Sequence, residues 1–546
     1  MAARAVATVL SMIAALGSVE ARADPVADAL SARMEELQFA GDLQIGGARL
    51  VARGLLPAIY ADRDFRPLWD NDGRVRELLD LLATAPEHGL DAADYYLDQL
   101  RRQVTAARTS SSALEAADLD ILLTGAFIRF GYHQVFGKVS PAGVDTNINF
   151  DRHFLTAEGP VKGIPRAIAA PQSLEKQIDD YLNRGPYYRR FQRHLAEHRK
   201  IAAAGGWPTV PAGDTLRLGD RDPRVVVLRQ RLAVTGDLPA GADTVSIQFD
   251  EQLEAAVVRF QERHALDADG VIGKRTYATL NEPVETRIDQ LRLTLERLRW
   301  VRAENKERLV IVNIAGFRVF FYERGEIVWT TRAMVGKAYR QTPIFRGRMR
   351  YMEINPTWTV PPGILRKDIL PAIKRDPGYL QAKNMSVIDR DGRKVDPSSV
   401  DWQSYSRGIP YSIRQEPGPG NALGEIKFIF PNKHFVFLHD TPSRQLFSRP
   451  DRTFSSGCIR VEHPFKLAET LLNEPTRWNQ ESLEAVRDSR KTQRISTRDR
   501  TSVVILYLTA SIEADGRARF LSDVYKRDAK LLEALNGPVR IELPEQ

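Results

Sequence analysis

The chain has 546 residues, of which 43% are hydrophobic and 27% are charged, and it contains one cysteine. A single hydrophobic core stops growing at about 250 to 300 residues, so this length predicts several globular domains. One cysteine excludes an internal disulfide, and together with scattered histidines it makes no metal-ligand pattern, so neither a metal nor another cofactor is expected. The formal net charge of +8 favours polyanionic partners, such as an anionic cell wall or membrane surface.

Residues 1–23 have the layout of a cleavable secretory signal peptide. Arg4 is followed by an apolar stretch over residues 5–16, and Ala21-Arg22-Ala23 forms the cleavage motif. A buried N-terminal helix is the alternative. The apolar stretch is too short to span a bilayer permanently, and no later stretch is long and apolar enough. The sequence therefore predicts an exported mature chain without a transmembrane segment, for which nucleic acid is not an expected partner.

Residues 24–205 show the periodicity of helices. Apolar side chains recur at three- and four-residue spacing over residues 74–83 and 117–130. No cluster of catalytic residue types occurs in this region, so we interpret it as a helical scaffold domain. Glycine and proline residues then predict a linker over residues 205–213.

Residues 216–281 form a compact unit with three predicted helices. Leu228-Arg-Gln-Arg-Leu232 lies on the first helix, Ala256-Val-Val-Arg-Phe-Gln261 lies on the second, and Asp269-Gly-Val-Ile-Gly273 makes a turn before the third. This order resembles the three-helix peptidoglycan-binding domain of many wall enzymes, and the resemblance implies that the unit binds the wall polymer. A helical spacer that binds nothing is the alternative. A basic amphipathic helix is predicted next, over residues 287–300.

Residues 305–546 change to the periodicity of strands. Short apolar runs such as Leu309-Val-Ile-Val-Asn-Ile314 and His434-Phe-Val-Phe-Leu438 alternate with glycine and proline turns, which is typical of a mainly-β, sandwich-like domain. Residues 363–424 interrupt this pattern with a stretch too long for an ordinary connection, which predicts an inserted lid. A late strand near 502–508 is assigned to the same domain. The predicted fold class is therefore multidomain α+β.

The lone Cys458 lies in Ser455-Ser456-Gly457-Cys458-Ile459-Arg460. It is either a nucleophile or a small buried apolar residue. His439 is the best-placed partner, because it ends the apolar strand predicted before it, where a catalytic group is held rigidly yet exposed. A neighbouring imidazolium would lower the thiol pKa, so a thiolate below pH 7 is expected. The backbone N–H groups of Gly457 and Cys458 are candidate donors to an oxyanion.

The block from His439-Asp-Thr-Pro442 to Ser455-Ser-Gly-Cys-Ile-Arg460 resembles the active-site motif of the L,D-transpeptidases, which have a YkuD-type catalytic domain. The order of signal, scaffold, peptidoglycan-binding unit and β domain with a lid resembles the large YcbB-like branch. Asn355-Pro-Thr-Trp358 and Arg414-Gln-Glu-Pro-Gly-Pro-Gly-Asn421 are also similar to that branch. Many members of the wider family have a second histidine where this chain has Ser456, which leaves His439 to act alone.

The resemblance implies a reaction on the stem peptides of peptidoglycan, as donor and acceptor. Cys458 attacks the bond between the diamino acid and the terminal D-alanine of a tetrapeptide stem, and His439 serves as general acid and base. An amine of a second stem then resolves the thioester to give a 3-3 crosslink. Arg460 and Arg414 are candidates to bind stem carboxylates, each with a structural ion pair as the alternative. Asn355 and Trp358 are further candidate substrate contacts, although Trp358 is equally compatible with a core position.

Three other interpretations were weighed against this one. A papain-like protease has its cysteine before its histidine, which is the reverse of the order here. A wall-binding protein without catalysis would need no intact cysteine block. An enzyme of the same fold could instead hydrolyse the thioester or attach a protein lysine to the wall. The sequence alone does not distinguish these two activities from crosslinking. The predicted location is the periplasm, with other wall-synthesis proteins as further expected partners.

Overall fold

A computed structural model describes residues 24–50, 54–150, 158–182, 186–301, 307–406, 408–497, 501–513 and 515–539. The predicted signal peptide over residues 1–23 lies outside the described residues. Within the described ranges, no helix combines the length and the apolar character needed to cross a membrane.

The N-terminal region is helical, as the apolar periodicity predicts. Its first helix begins after Asp24, whose side chain accepts the Val26 N–H, and ends at Gly41 in a left-handed backbone with φ +83°. A hairpin of Leu43–Ile45 and Ala48–Leu50 follows. The helices of this region are Pro25–Ala40, Leu55–Ala61, Asp72–Ala83, Leu97–Ala107, Ala113–Phe136, Pro141–Val144, Glu158–Ala169, Leu174–Leu182 and Pro186–Ala203, with 3-10 turns at Ala85–His88 and Ala92–Tyr95.

The second unit consists of three helices around a small core of its own. The helices are Arg224–Val234, Glu251–Arg263 and Lys274–Leu280. Leu228, Val257 and Phe260 are fully buried between them. Arg263 pairs with the buried Asp237 and also donates to the carbonyl of Ala518, which fixes the unit against the C-terminal hairpin of Ala510–Ile512 and Ala518–Phe520.

The helix Val284–Trp300, called here the linker helix, passes through the middle of the molecule. It contacts the scaffold helices Ala113–Phe136 and Pro186–Ala203 on one side and Asp528–Asn536 on the other. Gln290 donates to the carbonyls of Thr509 and Leu521. Because it touches the scaffold and the C-terminal domain at once, it sets their relative positions.

The C-terminal domain is built on one curled sheet of eleven strands. Its core is formed by side chains such as Val310, Val312, Phe428, Leu438 and Ile459, which are fully buried. In spatial order the strands are Gln493–Ser496, Tyr351–Ile354, Ile426–Ile429, Leu438–His439, Ile459–Val461, Glu326–Gly336, Arg318–Glu323, Arg308–Asn313, Ser502–Leu506 and Phe345–Arg348, with Thr453–Ser455 paired to Glu326–Gly336. The helices Pro464–Leu472, Gln480–Asp488 and Asp528–Asn536 and the 3-10 turn Arg444–Ser448 complete it. This architecture confirms the predicted multidomain α+β class.

The inserted segment forms a second, smaller body, called here the lid. Its four strands, in spatial order, are Lys394–Val395, Met385–Ile388, Ser412–Gln415 and Trp358–Thr359. Its helical segments are Pro362–Ile364, the π-helical turn Leu365–Ile369, Leu370–Arg375 and Tyr379–Ala382, with 3-10 turns at Pro397–Ser399 and Trp402–Ser404. Ile373, Val387 and Ile413 bury one another in a cluster separate from the main core. The lid therefore has its own hydrophobic support.

The strand predicted over residues 434–438 is wrong in its extent. The observed strand begins only at Leu438, and residues 432–436 form a turn instead. The Asn432 side chain causes this change, because its amide donates to the carbonyls of Phe430 and Val436 and its oxygen accepts the N–H groups of His434 and Val436. A side chain that satisfies four backbone groups competes successfully with a sheet ladder.

Candidate functional site

A parallel pair of short strands places His439 beside Arg460, two residues after Cys458. Leu438 pairs with Ile459, and His439 pairs with Arg460. Leu438 and Ile459 are fully buried in the core. Because side chains alternate along a strand, His439 and Arg460 occupy the opposite face. Cys458 lies in the bend directly before Ile459. That His439 and Cys458 act as a pair stays a prediction, which this register supports.

His439 is held in one tautomer by a backbone carbonyl. Its Nδ1 lies 2.5 Å from the Asp440 oxygen, and since a carbonyl only accepts, Nδ1 carries the proton and Nε2 keeps its lone pair. Burial, followed by the charge of Arg460, lowers the pKa of His439 to about 3, although the carbonyls of Asp440 and Leu423 oppose this shift. The imidazole is therefore neutral at pH 7 and is able to accept a proton at Nε2.

Cys458 is a neutral thiol in this structure. Its Sγ lies 3.9 Å from the carbonyl oxygen of Phe435. Burial raises the pKa of the Cys458 thiol to about 11, even though the Phe437 N–H and Arg460 stabilise the thiolate. The expected thiolate below pH 7 is therefore wrong for this state. An uncharged imidazole supplies no positive charge to hold the thiolate, so the two groups do not form an ion pair.

The turn that carries Cys458, residues 455–458, is called here the nucleophile loop. The Ser455 hydroxyl donates to the Cys458 carbonyl at 2.6 Å and accepts the Gly457 N–H at 3.1 Å. Gly457 has φ +119°, which a side chain rarely tolerates. Thr342 holds the loop from the other side by donating to the Gly457 carbonyl at 2.8 Å.

The two candidate oxyanion donors, the N–H groups of Gly457 and Cys458, differ in whether they are already hydrogen-bonded. The Gly457 N–H is occupied by the Ser455 hydroxyl. The Cys458 N–H makes no hydrogen bond with any other part of the chain that the structure describes. Of the two, the Cys458 N–H is thus the one available to a developing oxyanion.

Arg460 is a cation without an acidic partner among the described residues. Its Nε is buried and makes no hydrogen bond there. Burial lowers its pKa, while the neighbouring Cys458 raises it. A desolvated guanidinium beside the thiol and the imidazole is suited to bind an anionic group of a ligand.

The other predicted substrate contacts have partners within the fold. Arg414 lies in the lid, 3.4 Å from Glu416. Trp358 packs against the apolar cluster of the lid. The Asn355 amide donates to the carbonyls of Val486, Arg487 and Lys491 and so fixes the end of the helix Gln480–Asp488. No contact in the described chain joins these three residues to Cys458 or His439.

Arg340 is a further residue of the site, and sequence reasoning missed it. Its Nη1 donates to the Ser456 hydroxyl at 2.8 Å and to Asp368 of the lid at 2.7 Å. Gly424 was missed as well: its φ is +65°, and a Cβ there would lie 2.5 Å from Asp440, whose carbonyl holds His439. A glycine at the end of the predicted lid was the only sequence signal for either residue.

Three family models match separate parts of the chain. Residues 307–505 match the L,D-transpeptidase catalytic domain (YkuD), residues 54–195 match a scaffold domain, and residues 221–280 match a domain described as "Putative peptidoglycan binding domain". The three matches follow the order of the three structural units. They confirm the resemblance drawn from the sequence.

Two curated relatives are similar over part of their length. A "Putative L,D-transpeptidase" of Haemophilus influenzae is 37% identical over 222 residues, which cover 41% of this chain and 45% of that protein. The N-acetylmuramoyl-L-alanine amidase CwlM of Mycobacterium tuberculosis is 39% identical over 77 residues, 13% of this chain and 19% of that protein. The chain therefore spans less than half of either relative.

Solved structures of similar proteins include an L,D-transpeptidase from Mycobacterium smegmatis, at 14% identity and TM-score 0.18, covering 37% of this chain and 58% of that one. Another is the L,D-transpeptidase of Stackebrandtia nassauensis, at 14% identity and TM-score 0.21, covering 55% of this chain and 96% of that one. These scores are too low to add to the argument. The three family matches show that residues 307–505 carry an L,D-transpeptidase catalytic domain (YkuD), which follows a scaffold domain and a putative peptidoglycan-binding domain.

Proposed function

We propose that this chain is a cysteine-dependent L,D-transpeptidase that forms 3-3 crosslinks between peptidoglycan stems. The observation that carries the proposal is the strand pairing of His439 with Arg460, two residues after Cys458, which puts the imidazole and the thiol each near a cation without an acidic partner in the described chain. In this proposal Arg460 binds a stem carboxylate, and residues 216–281 hold the wall polymer. The reaction places the protein outside the cytoplasm, in the periplasm.

The first half-reaction acylates the enzyme. Nε2 of His439 takes the proton of the Cys458 thiol as Sγ attacks the carbonyl carbon of the diamino acid. The Cys458 N–H stabilises the oxyanion of the tetrahedral intermediate. The carbon–nitrogen bond to D-alanine then breaks, His439 returns its proton to the leaving amine, and a thioester remains.

The second half-reaction returns the enzyme to its starting state. The side-chain amine of another stem attacks the thioester carbonyl, and His439 takes a proton from that amine. The carbon–sulfur bond breaks, and the proton passes to Sγ. Because the same imidazole takes and returns one proton in each half, no second base is required.

Cys458 and His439 are both neutral before substrate binds. This fits a mechanism in which His439 removes the thiol proton during the attack and not before it. Arg460 is one cause of the low His439 pKa. A carboxylate bound to Arg460 would compensate that charge and raise the His439 pKa toward the range of an effective base. Substrate binding would thereby activate the pair.

The proposal is tested with tetrapeptide muropeptides and the chain from Asp24 onward. We expect mass spectrometry to detect released D-alanine and 3-3 dimers, and Cys458→Ala to lower both by at least about a thousandfold because no other thiol exists in the chain. Free tripeptide without dimers would indicate a hydrolase, and a stem attached to an added protein lysine would indicate an anchoring enzyme. Full activity in Cys458→Ala would refute the assignment of the nucleophile.

A further inference from the structure

Phe435 combines a left-handed backbone with an exposed aromatic ring. Its φ is +55°, and 86% of its surface is exposed. Bulky side chains rarely adopt this backbone, because the Cβ approaches the following carbonyl oxygen. Among the described residues, three other aromatic residues have positive φ, Phe65, Tyr96 and Phe317, and each of them is at least partly buried.

The surrounding turn imposes this conformation. Asn432 makes four hydrogen bonds to the backbone of residues 430–436, as described above. The ring of His434 packs against Phe345 at 5.0 Å between centroids, and its imidazole is hydrogen-bonded to the backbone of Asn147 in the scaffold domain. Phe435 thus lies between His434 and Val436, whose N–H groups are both bound by the Asn432 side chain, and this turn imposes its positive φ.

A phenylalanine at position 435 makes no evident contribution to the stability of the fold. The ring is exposed, so it contributes almost no buried surface, and asparagine or glycine would tolerate the backbone better. A strained residue that persists without a packing role is a reason to look for a functional one. The neighbourhood supplies it, because the carbonyl oxygen of Phe435 lies 3.9 Å from Sγ of Cys458.

We propose that Phe435 determines specificity by packing its ring on the aliphatic side chain of the diamino acid that Cys458 acylates. This inference rests on the proposed function. The attacked carbonyl must reach Sγ, and the diamino acid side chain is attached one carbon away from it. The sugar lies two residues further along the stem, at about 3.3 to 3.6 Å per residue. Apart from the methyl group of the leaving D-alanine, the methylenes of the diamino acid are therefore the apolar groups nearest to the attacked carbonyl.

The test compares Phe435→Asn with the wild-type chain, on a tetrapeptide donor and on an analogue with alanine at the third position. Each methylene that is no longer buried against the ring lowers the affinity by about fourfold. We expect Phe435→Asn to raise KM for the natural donor by about 4- to 15-fold, to change kcat by less than about twofold, and to leave the analogue unaffected. Phe435→Tyr should restore the wild-type KM.

Two controls separate this role from a structural one. Phe435→Asn should keep or raise Tm and should leave alkylation of Cys458 by iodoacetamide unchanged. Phe39 is 97% exposed in the scaffold domain, so Phe39→Asn should alter neither KM nor kcat. Suppose that the wild-type protein is active and that Phe435→Asn leaves the ratio of KM for the donor to KM for the analogue unchanged. This result would overturn the role of Phe435 and leave the proposed function intact. D-alanine release that persists in Cys458→Ala would overturn the proposed function and the role of Phe435 with it.

Discussion

At the residue scale, the chemistry of the site depends on the absence of charge. The pKa of Cys458 is raised to about 11 and that of His439 is lowered to about 3, and burial is the main cause of both shifts. In the resting state both groups are therefore neutral. A neutral thiol is less readily oxidised than a thiolate, so this half-buried cysteine is less reactive in the resting state.

The neutral pair predicts the pH dependence of Cys458 alkylation. Only the thiolate reacts, so the rate with iodoacetamide should rise throughout pH 6 to 10 without a plateau below about pH 9. His439→Gln should shift this profile little, because the neutral imidazole contributes no charge. The measurement is the second-order rate at each pH, with a short cysteine-containing model peptide as the reference thiol of pKa about 8.5. If the alkylation rate of the wild type instead reached a plateau below pH 7, and this plateau were lost in His439→Gln, the two residues would form a thiolate–imidazolium ion pair.

At the element scale, Arg340 joins the lid to the nucleophile loop. It is mostly buried and contacts both Ser456 and Asp368. The lid has an apolar cluster of its own, so it needs no packing against the main core to keep its shape.

We expect Arg340→Gln to loosen the lid without unfolding it. A single partly exposed ion pair is worth about 0 to 1 kcal/mol, so the global free energy of unfolding should change by less than about 1 kcal/mol. Hydrogen exchange followed by mass spectrometry should become faster over residues 362–375. Arg393→Gln removes an exposed ion pair with Asp389 elsewhere in the lid and serves as the matched control. Equal exchange in both variants would mean that Arg340 does not hold the lid.

At the scale of the whole molecule, the linker helix fixes the scaffold to the catalytic domain through buried charges. Glu296 is fully buried, pairs with Arg299 at 2.8 Å and accepts the Val139 N–H of the scaffold at 2.7 Å. Arg297 on the same helix pairs with Asp528 of the catalytic domain at 2.7 Å. Neighbouring residues of one helix therefore bind both domains.

Glu296→Gln should strongly destabilise the protein. The substitution leaves Arg299 buried without a counter-charge, and breaking a buried ion pair from one side costs about 3 to 5 kcal/mol. Chemical denaturation followed by circular dichroism measures this loss. Glu285→Gln changes an exposed carboxylate on the same helix and should stay within about 0.5 kcal/mol of the wild type. A loss below about 1 kcal/mol in Glu296→Gln would show that the buried pair does not hold the domains together.

The sequence alone determined the fold class and the order of the units, and it predicted Cys458 and His439 as the candidate reactive residues. Apolar periodicity is local, so the scaffold helices and most strands of the main sheet could be predicted from it. The strand Gln493–Ser496 was missed because a short, mostly polar edge strand has little apolar alternation. The block from His439 to Arg460 suggested the resemblance to the L,D-transpeptidase catalytic domain, which the family match over residues 307–505 confirms.

Only the tertiary structure decided the properties that depend on neighbours distant in sequence. Asn432 turned a predicted strand into the turn that exposes Phe435, and Arg340 reached both Asp368 and Ser456 across the fold. The charge state of Cys458 and His439 also could not be predicted, because burial shifts a pKa and no local pattern states how deeply a residue will lie. The sequence therefore predicted the candidate reacting groups, and the surrounding protein determines their protonation.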